Sequence, residues 1–333
     1  MTGRQQNSFG VHALVWVGSW DEASARAAMA GARGCGYDRI EIPLLDSWDI
    51  DVAMSRHLLE EHGLAMTGNL FLTAATDITS EDPDVVAAGE ERLTGGVDVV
   101  RHLGGDYLCG TIYSMLGRYD HAPTPGGRAN CVGVLQRVAD HAAESGIRLG
   151  LELCNRYETN LLNTASQALA IMEEIDRPNV RVHLDTYHMN IEESDMVTPV
   201  LECGDRLGYV HIGESHRGYL GSGQVDFGAF FRALMYIGYA GPITFESFSS
   251  AVLAPDLTNA LCIWRDLWTN SEDLARHARQ FIGAQLKAVD SSAPAGCRQG
   301  PEWRDSDMAH GKDTAHGKDT AHGKDTAHGK EVV

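Results

Sequence analysis

The sequence predicts one parallel α/β barrel, a (β/α)8 fold, followed by a C-terminal tail. Three observations carry this prediction. Strand-like and helix-like segments alternate along most of the 333 residues, the pattern of a parallel sheet covered by helices. Four apolar runs, 149–153, 180–185, 209–212 and 243–246, each hold a metal-capable side chain at or near their end, and roughly 25 to 35 residues separate one such side chain from the next, room for a βαβ repeat. The length suits one barrel of about 250 to 290 residues plus a tail better than two unrelated domains.

Taken in order, residues 9–16 are the first strand candidate and 20–33 the first helix, which Ser19 or Asp21 can cap and Gly34-Cys35-Gly36 ends. Strand two spans 39–44 and helix two 52–62; strand three spans 64–72. The Asp- and Thr-rich stretch 73–84 leads into a long helix over 85–103, and strand four covers 107–112. A loop rich in Pro and Gly at 120–127 precedes a helix ending near Gly146, after which the four metal-bearing strands follow. A loop at 247–256 and helical sequence over 257–289 complete the barrel domain, residues 1–289. In the remainder, 290–333, Ala309-His310-Gly311-Lys312-Asp313-Thr314 repeats as a hexamer and places His310, His316, His322 and His328 at constant spacing. This low-complexity tail has too little apolar surface to build a core and is expected to be disordered. A metal-collecting role for its histidines is the alternative.

Composition excludes several classes of partner. The net charge is -19 and the 27 Lys and Arg residues form no basic stripe, which argues against nucleic acid and anionic membranes. No apolar run approaches the ~20 residues that span a bilayer, and residues 1–8 are polar without a signal core. The expected location is cytoplasmic. Seven cysteines without a C-x-x-C pair argue against a disulfide framework or a zinc ribbon. Cys35, Cys109, Cys131, Cys154, Cys203 and Cys262 read as small buried hydrophobes.

Strand parity organises the chemistry. Leu149, Leu151 and Leu153 point one way and Glu152 the other; Val182 and Leu184 oppose His183 and Asp185; Val210 and Ile212 flank His211, and Ile243 and Phe245 precede Glu246. Glu152, Asp185, His211 and Glu246 therefore share a face and meet at the C-terminal mouth of a closed barrel, where active sites of this fold sit. Three carboxylates and one imidazole suit Mn²⁺, Mg²⁺ or Co²⁺. His183 also faces inward, and such a lone histidine is more often hydrogen-bonded core than ligand; His12 on strand one is equally ambiguous. Glu158, His188 and Arg217, on loops after strands five, six and seven, ring the same spot with donors and acceptors matched to a polyhydroxylated ligand. No Walker motif, nucleophile elbow or H-E-x-x-H occurs.

These residues resemble a known family. Leu151-Glu152 through Glu158, the run Leu184-Asp185-Thr186-Tyr187-His188-Met189-Asn190-Ile191-Glu192-Glu193, His211-Ile212-Gly213-Glu214 with Arg217, and Phe245-Glu246 resemble the ketose 3-epimerases. This is the D-tagatose 3-epimerase family, which includes D-allulose (D-psicose) and L-ribulose 3-epimerases. The resemblance covers roughly residues 9–287, and residues 211–223 and 245–257 look closest to the L-ribulose and D-allulose branch. It implies a xylose-isomerase-like TIM barrel in which Glu152, Asp185, His211 and Glu246 bind a divalent metal, Mn²⁺ first and Mg²⁺ or Co²⁺ as alternatives. Glu152 and Glu246 would double as acid and base, and Glu158, His188 and Arg217 would hold the substrate near its C1 and C2 oxygens. Trp16, Tyr113, Tyr157 and Phe248 would line the far end of the sugar. Substrates would be free ketoses in C3-epimer pairs: L-ribulose and L-xylulose, D-fructose and D-allulose, D-tagatose and D-sorbose.

The residues argue for this chemistry independently. Inverting a carbon beside a ketone needs a metal to polarise the carbonyl and two carboxylates on opposite faces of a planar enediolate. An aldose-ketose isomerase or a sugar dehydratase would use the same apparatus; a zinc-cluster nuclease is disfavoured by the charge, and a non-catalytic sugar- or metal-binding protein by the paired carboxylates. The exposed helices of such a barrel can support a homodimer or homotetramer. Truncation after about residue 294 is expected to leave turnover intact, because the tail contributes no core; a large loss of activity in the truncated chain would contradict this.

Overall fold

Short β-branched and apolar runs form eight parallel strands that pair in chain order and close on themselves: β1 (Phe9–His12), β2 (Arg39–Pro43), β3 (Ala65–Asn69), β4 (Tyr107–Gly110), β5 (Arg148–Glu152), β6 (Val180–Asp185), β7 (Leu207–Ile212) and β8 (Ile243–Phe245). The structure, a computed structural model, describes residues 7–45 and 50–292. The predicted (β/α)8 barrel is therefore the observed fold. Around it lie α1 (Glu22–Gly34), α2 (Val52–His62), α3 (Pro83–His102), α4 (Pro125–Ala143), α5 (Ala165–Ile175), α6 (Thr186–Glu192), α7 (Thr198–Cys203), α8 (Phe227–Tyr236), α9 (Pro255–Ala260) and α10 (Ser271–Ser292).

Helix starts are written in side chains that satisfy otherwise orphaned amides. Asp21, Asp51, Thr124 and Asp226 accept from Ser24, Met54, Gly127 and Ala229, and Thr164 with Gln167 forms a capping box. The apolar faces so aligned pack on the barrel, burying residues such as Met29, Leu58, Leu93, Val134, Ile171 and Phe230.

Strand register sets the height of the site. Glu152 on β5 lies beside His183 on β6, and Asp185 on β6 lies beside His211 on β7. Between Val182 and His183 the β6–β7 register shifts, so that Val182 faces Leu207 but His183 faces Tyr209. This bulge at Gly208 brings Asp185 and His211 level. Below them the barrel is plugged by Tyr107, Cys109 and Tyr209, with the two tyrosine rings 5.0 Å apart. Gly150 makes room for that plug: a Cβ there would lie 2.5 Å from the Tyr107 ring.

Several segments depart from expectation. The first strand ends at His12, because the His12 Nδ1 accepts from the Leu14 amide and starts a 3-10 turn over Ala13–Val15. Helical sequence predicted over 257–289 is split into α9 and α10. Between them Trp268 is buried and donates through its indole to Ser247 Oγ at 2.7 Å, which holds the chain off the helical path, and Asn270 starts α10 by accepting from Asp273. His188, expected on a loop, lies on α6. Cys262 is exposed rather than buried, in a turn with φ 55°. The last helix runs to Ser292, past the expected domain end at 289, and the tail with its repeats, from 293 onward, lies outside the described residues. Among the described residues no helix is long and apolar enough to cross a membrane.

Replacing Gly150 by Ala is expected to cost about 1–3 kcal/mol by overpacking the plug, read as a lower denaturation midpoint. Adding Tyr107→Leu should restore part of it. Equal losses in the single and double variants would show that the clash with Tyr107 is not the cause.

Candidate active site

Asp185 illustrates how the fold aims its side chains. It ends β6 and caps α6, so Oδ1 accepts from the Tyr187 amide at 2.7 Å. That leaves Oδ2 fully buried without a hydrogen-bond partner among the described residues, 3.9 Å from His211 Nδ1. His211 projects from the middle of the mouth. Its Nδ1 stands 2.9 Å from Glu152 Oε1 and 3.5 Å from Glu246 Oε1, and its Nε2 lies 3.0 and 2.9 Å from the two oxygens of Glu41 on β2. Glu152, Asp185, His211 and Glu246 each offer one ligand atom, all within 4.8 Å of one another, and all four are buried.

Glu158, His188 and Arg217, expected to face the substrate, are also brought together. Arg217 donates to Glu246 Oε2 at 3.1 Å, lies 3.8 Å from Glu158 Oε1, and stacks over the rings of Tyr187 and Phe248 at 4.0 and 4.7 Å. His188 Nδ1 accepts from the Asn155 amide at 3.1 Å. Its Nε2 lies 3.4 Å from Arg217 Nη2, 3.7 Å from Asp185 Oδ2 and 3.9 Å from Glu158 Oε2. Asn155 also donates to Glu158 Oε1 at 2.8 Å, tying the loop carboxylate to the same frame.

Crowding of charge in a buried site separates the acids. Burial pushes the Glu246 carboxyl up, only partly offset by His211 and Arg217, and it reaches about 8. Burial acts on Glu152 in the same sense, but the imidazoles of His183 and His211 reverse it and hold this carboxyl below its usual range. For His211, burial would favour the neutral ring, yet Glu41, Glu246 and Glu152 outweigh it and raise the group well above 6.5.

The donor set fits a divalent cation. Three carboxylates and an imidazole are hard ligands, and the orphaned Asp185 Oδ2 is a buried acceptor aimed into the cluster. His12, Glu41 and Glu246 also converge. They do not make a second site of this kind, because the Nδ1 of His12 accepts from Leu14 and leaves Nε2 protonated. His183, expected to be hydrogen-bonded core or a neighbour of the ligands, packs edge-on to His211 with ring centroids 4.2 Å apart, and neither ring nitrogen has a hydrogen-bond partner among the described residues.

Above the cluster opens a cleft. Its floor is Glu152, Glu158, His188, Arg217 and Glu246; its far wall is Leu14, Phe71, Leu116, Phe248, Leu257 and Leu261. Of the four aromatics expected there, Phe248 lines this cleft. Trp16 packs instead against Gly31 of α1, Tyr113 is buried with its hydroxyl donating to the Glu152 carbonyl at 2.8 Å, and Tyr157 is 64% exposed. Glu41, Asn69 and Asn155 went unnoticed in the sequence. For Glu41 a signal existed: Ile40-Glu41-Ile42 has the same alternation as Val210-His211-Ile212.

Comparison with known proteins defines first the class. The xylose isomerase-like TIM barrel family matches residues 29–284. An L-ribulose 3-epimerase of Methylomonas sp. (strain DH-1) is 57% identical over 274 residues, 82% of this chain and 96% of that protein. A ketose 3-epimerase of Arthrobacter globiformis is 53% identical over 280 residues, 84% of this chain and 97% of its own. The crystal structure of a D-allulose 3-epimerase from Methylomonas sp. in complex with D-allulose superposes with a TM-score of 0.83 at 56% identity, covering 84% of this chain and 98% of that one. The chain belongs to the ketose 3-epimerases, enzymes of the isomerase class, within the xylose isomerase-like TIM barrels.

The raised Glu246 carboxyl has a consequence for the metal-stripped protein. Because the folded value of about 8 exceeds the ordinary 4.5, the stability this group lends is fully present below about pH 4.5 and is lost as pH rises through about 8. Glu246→Gln is expected to flatten part of the decline in thermal midpoint between about pH 5 and 8. An unchanged slope would show that Glu246 does not stay protonated there.

Proposed function

We propose that the chain is a metal-dependent epimerase of free ketoses, inverting C3 by removal of the proton from one face and its replacement from the other. L-ribulose with L-xylulose and D-fructose with D-allulose are the first substrate pairs, and D-tagatose with D-sorbose the third. The relatives named for L-ribulose and D-allulose support the first two. The observation that carries the mechanism is the pair of buried carboxylates, Glu152 at the end of β5 and Glu246 just past β8, that line one cleft from two different strands.

In this scheme a divalent cation held by Glu152, Asp185, His211 and Glu246, Mn²⁺ first and Mg²⁺ or Co²⁺ as alternatives, supplies the Lewis acidity that polarises the ketose carbonyl. Glu152, ionised, takes the C3 proton, and the electron pair of the broken C–H bond passes into a planar C2–C3 enediol system. Glu246, protonated, returns a proton to C3 from the opposite face, and the roles exchange for the reverse reaction. The His188 imidazole, the Arg217 guanidinium and the Glu158 carboxylate orient the C1 and C2 oxygens. Arg217 stays fixed while doing so because Tyr187 and Phe248 sandwich it. Between turnovers Glu152 releases the abstracted proton to solvent and Glu246 takes one up, so the hydrogen delivered to C3 is solvent-derived.

The test uses metal-stripped protein resupplied with Mn²⁺ and offered each ketose in heavy water. The expected product is the C3 epimer with deuterium at C3. Glu152→Gln and Glu246→Gln, with metal occupancy measured alongside, should each lower turnover by about 10²–10⁴-fold or more. An aldose or a dehydrated product, or substantial turnover in either variant, overturns the scheme.

A further inference from the structure

We propose that Glu41 is a positioning residue for the metal centre: it fixes the tautomer and strengthens the basicity of His211, so that Nδ1 presents its lone pair to the ion. This inference rests on the metal reading above and adds a residue to it. Glu41 lies mid-strand on β2, across the barrel from β7, with no exposure to solvent. Its ion-pair partners among the described residues are imidazoles, His211 and, at 3.7 Å, His12. A carboxylate so placed is strongly unfavourable unless its oxygens are satisfied.

They are satisfied in a directed way. Asn69, in the neighbouring strand β3, donates through Nδ2 to Glu41 Oε1 at 2.8 Å, and both Glu41 oxygens bracket His211 Nε2. With Nε2 donating to Glu41, the neutral imidazole has its free lone pair on Nδ1, the nitrogen that faces Glu152, Asp185 and Glu246. A carboxylate behind a ligating histidine fixes ring orientation and raises its donor strength, and its loss typically weakens metal binding by about 10–100-fold. Glu41 is not among the side chains lining the cleft, whereas its partners Asn69 and His12 are, so metal affinity rather than turnover is the readout of its action through His211.

The experiment compares Mn²⁺ binding by calorimetry or chelator competition in wild type, Glu41→Gln and Asn69→Ala, with kcat and KM measured at saturating Mn²⁺. Glu41→Gln keeps the volume of the side chain and removes its charge. It is expected to bind Mn²⁺ about 10–100-fold more weakly, with KM unchanged and most of kcat recovered in excess metal. Asn69→Ala, which leaves the carboxylate but frees it, should weaken binding in the same direction by a smaller factor, and it decides the matter if Glu41→Gln does not fold. Wild-type Mn²⁺ affinity in both variants, or kcat still lost in Glu41→Gln when the metal site is saturated, would overturn the positioning role. Failure of the wild-type protein to bind Mn²⁺, Mg²⁺ or Co²⁺ at all would instead overturn the metal reading itself.

Discussion

The site depends on confining four buried carboxylates, Glu41, Glu152, Asp185 and Glu246, around one imidazole. Like charges at such separations interact strongly in a medium far less polarisable than water, so they cannot all ionise independently. His211 relieves part of this by facing Glu41 with one nitrogen and the other three with the second. What it cannot relieve appears as the division between a low Glu152 and a high Glu246. In the metal-free protein this asymmetry between the two carboxyls is thus a result of crowding.

Holding that arrangement requires rigid supports, and many of them serve two purposes. The Oδ1 of Asp185 starts α6 while its Oδ2 faces the cluster. Glu214, buried just beyond β7, accepts from the amides of Ser215, Gly221 and Val225 and so shapes the loop that carries Arg217. Arg217 itself has φ 57°, a left-handed conformation that is unfavourable for a residue with a side chain. It persists because the surroundings determine it: its amide donates to the Glu214 carbonyl, its own carbonyl accepts from Ser247, and two aromatic rings hold the guanidinium. Strain is stored at a residue that faces the cleft, as expected for a group whose position must not vary.

Much of this was legible in sequence because strand parity is a strict rule. Once Val210 and Ile212 were assigned to the outer face, His211 had to point inward, and the same logic placed Glu152 and Asp185. The closed barrel then required convergence, which the register supplies. Parity applied equally to Ile40-Glu41-Ile42, yet Glu41 lies on a first-half strand far from the other acids in sequence, and nothing local marks it as their neighbour. The cleft walls were least legible. Trp16 and Tyr113 occupy plausible sequence positions, but their directions are set by a 3-10 turn against α1 and by a hydroxyl that finds a backbone carbonyl. The break between α9 and α10 depends on Trp268 reaching Ser247, a contact between loops that no periodicity encodes.

The composition of the cleft bears on how narrowly such an enzyme discriminates. Charged and hydrogen-bonding groups crowd the floor, whereas Leu14, Phe71, Leu116, Phe248, Leu257 and Leu261 form an apolar far wall. These side chains come from segments after β1, β3, β4 and β8, so the wall is assembled by loops and the floor mainly by strand ends and their immediate successors. A polar site rejects a ligand that leaves its buried donors unpaired by several orders of magnitude, but an apolar wall separates ligands differing by one hydroxyl or methylene by only about 1–3 kcal/mol. Strict recognition therefore belongs to the floor, and tolerance to the apolar wall. Selectivity among ketoses of different length and configuration can then be tuned in the loop wall without disturbing the charge balance around His211.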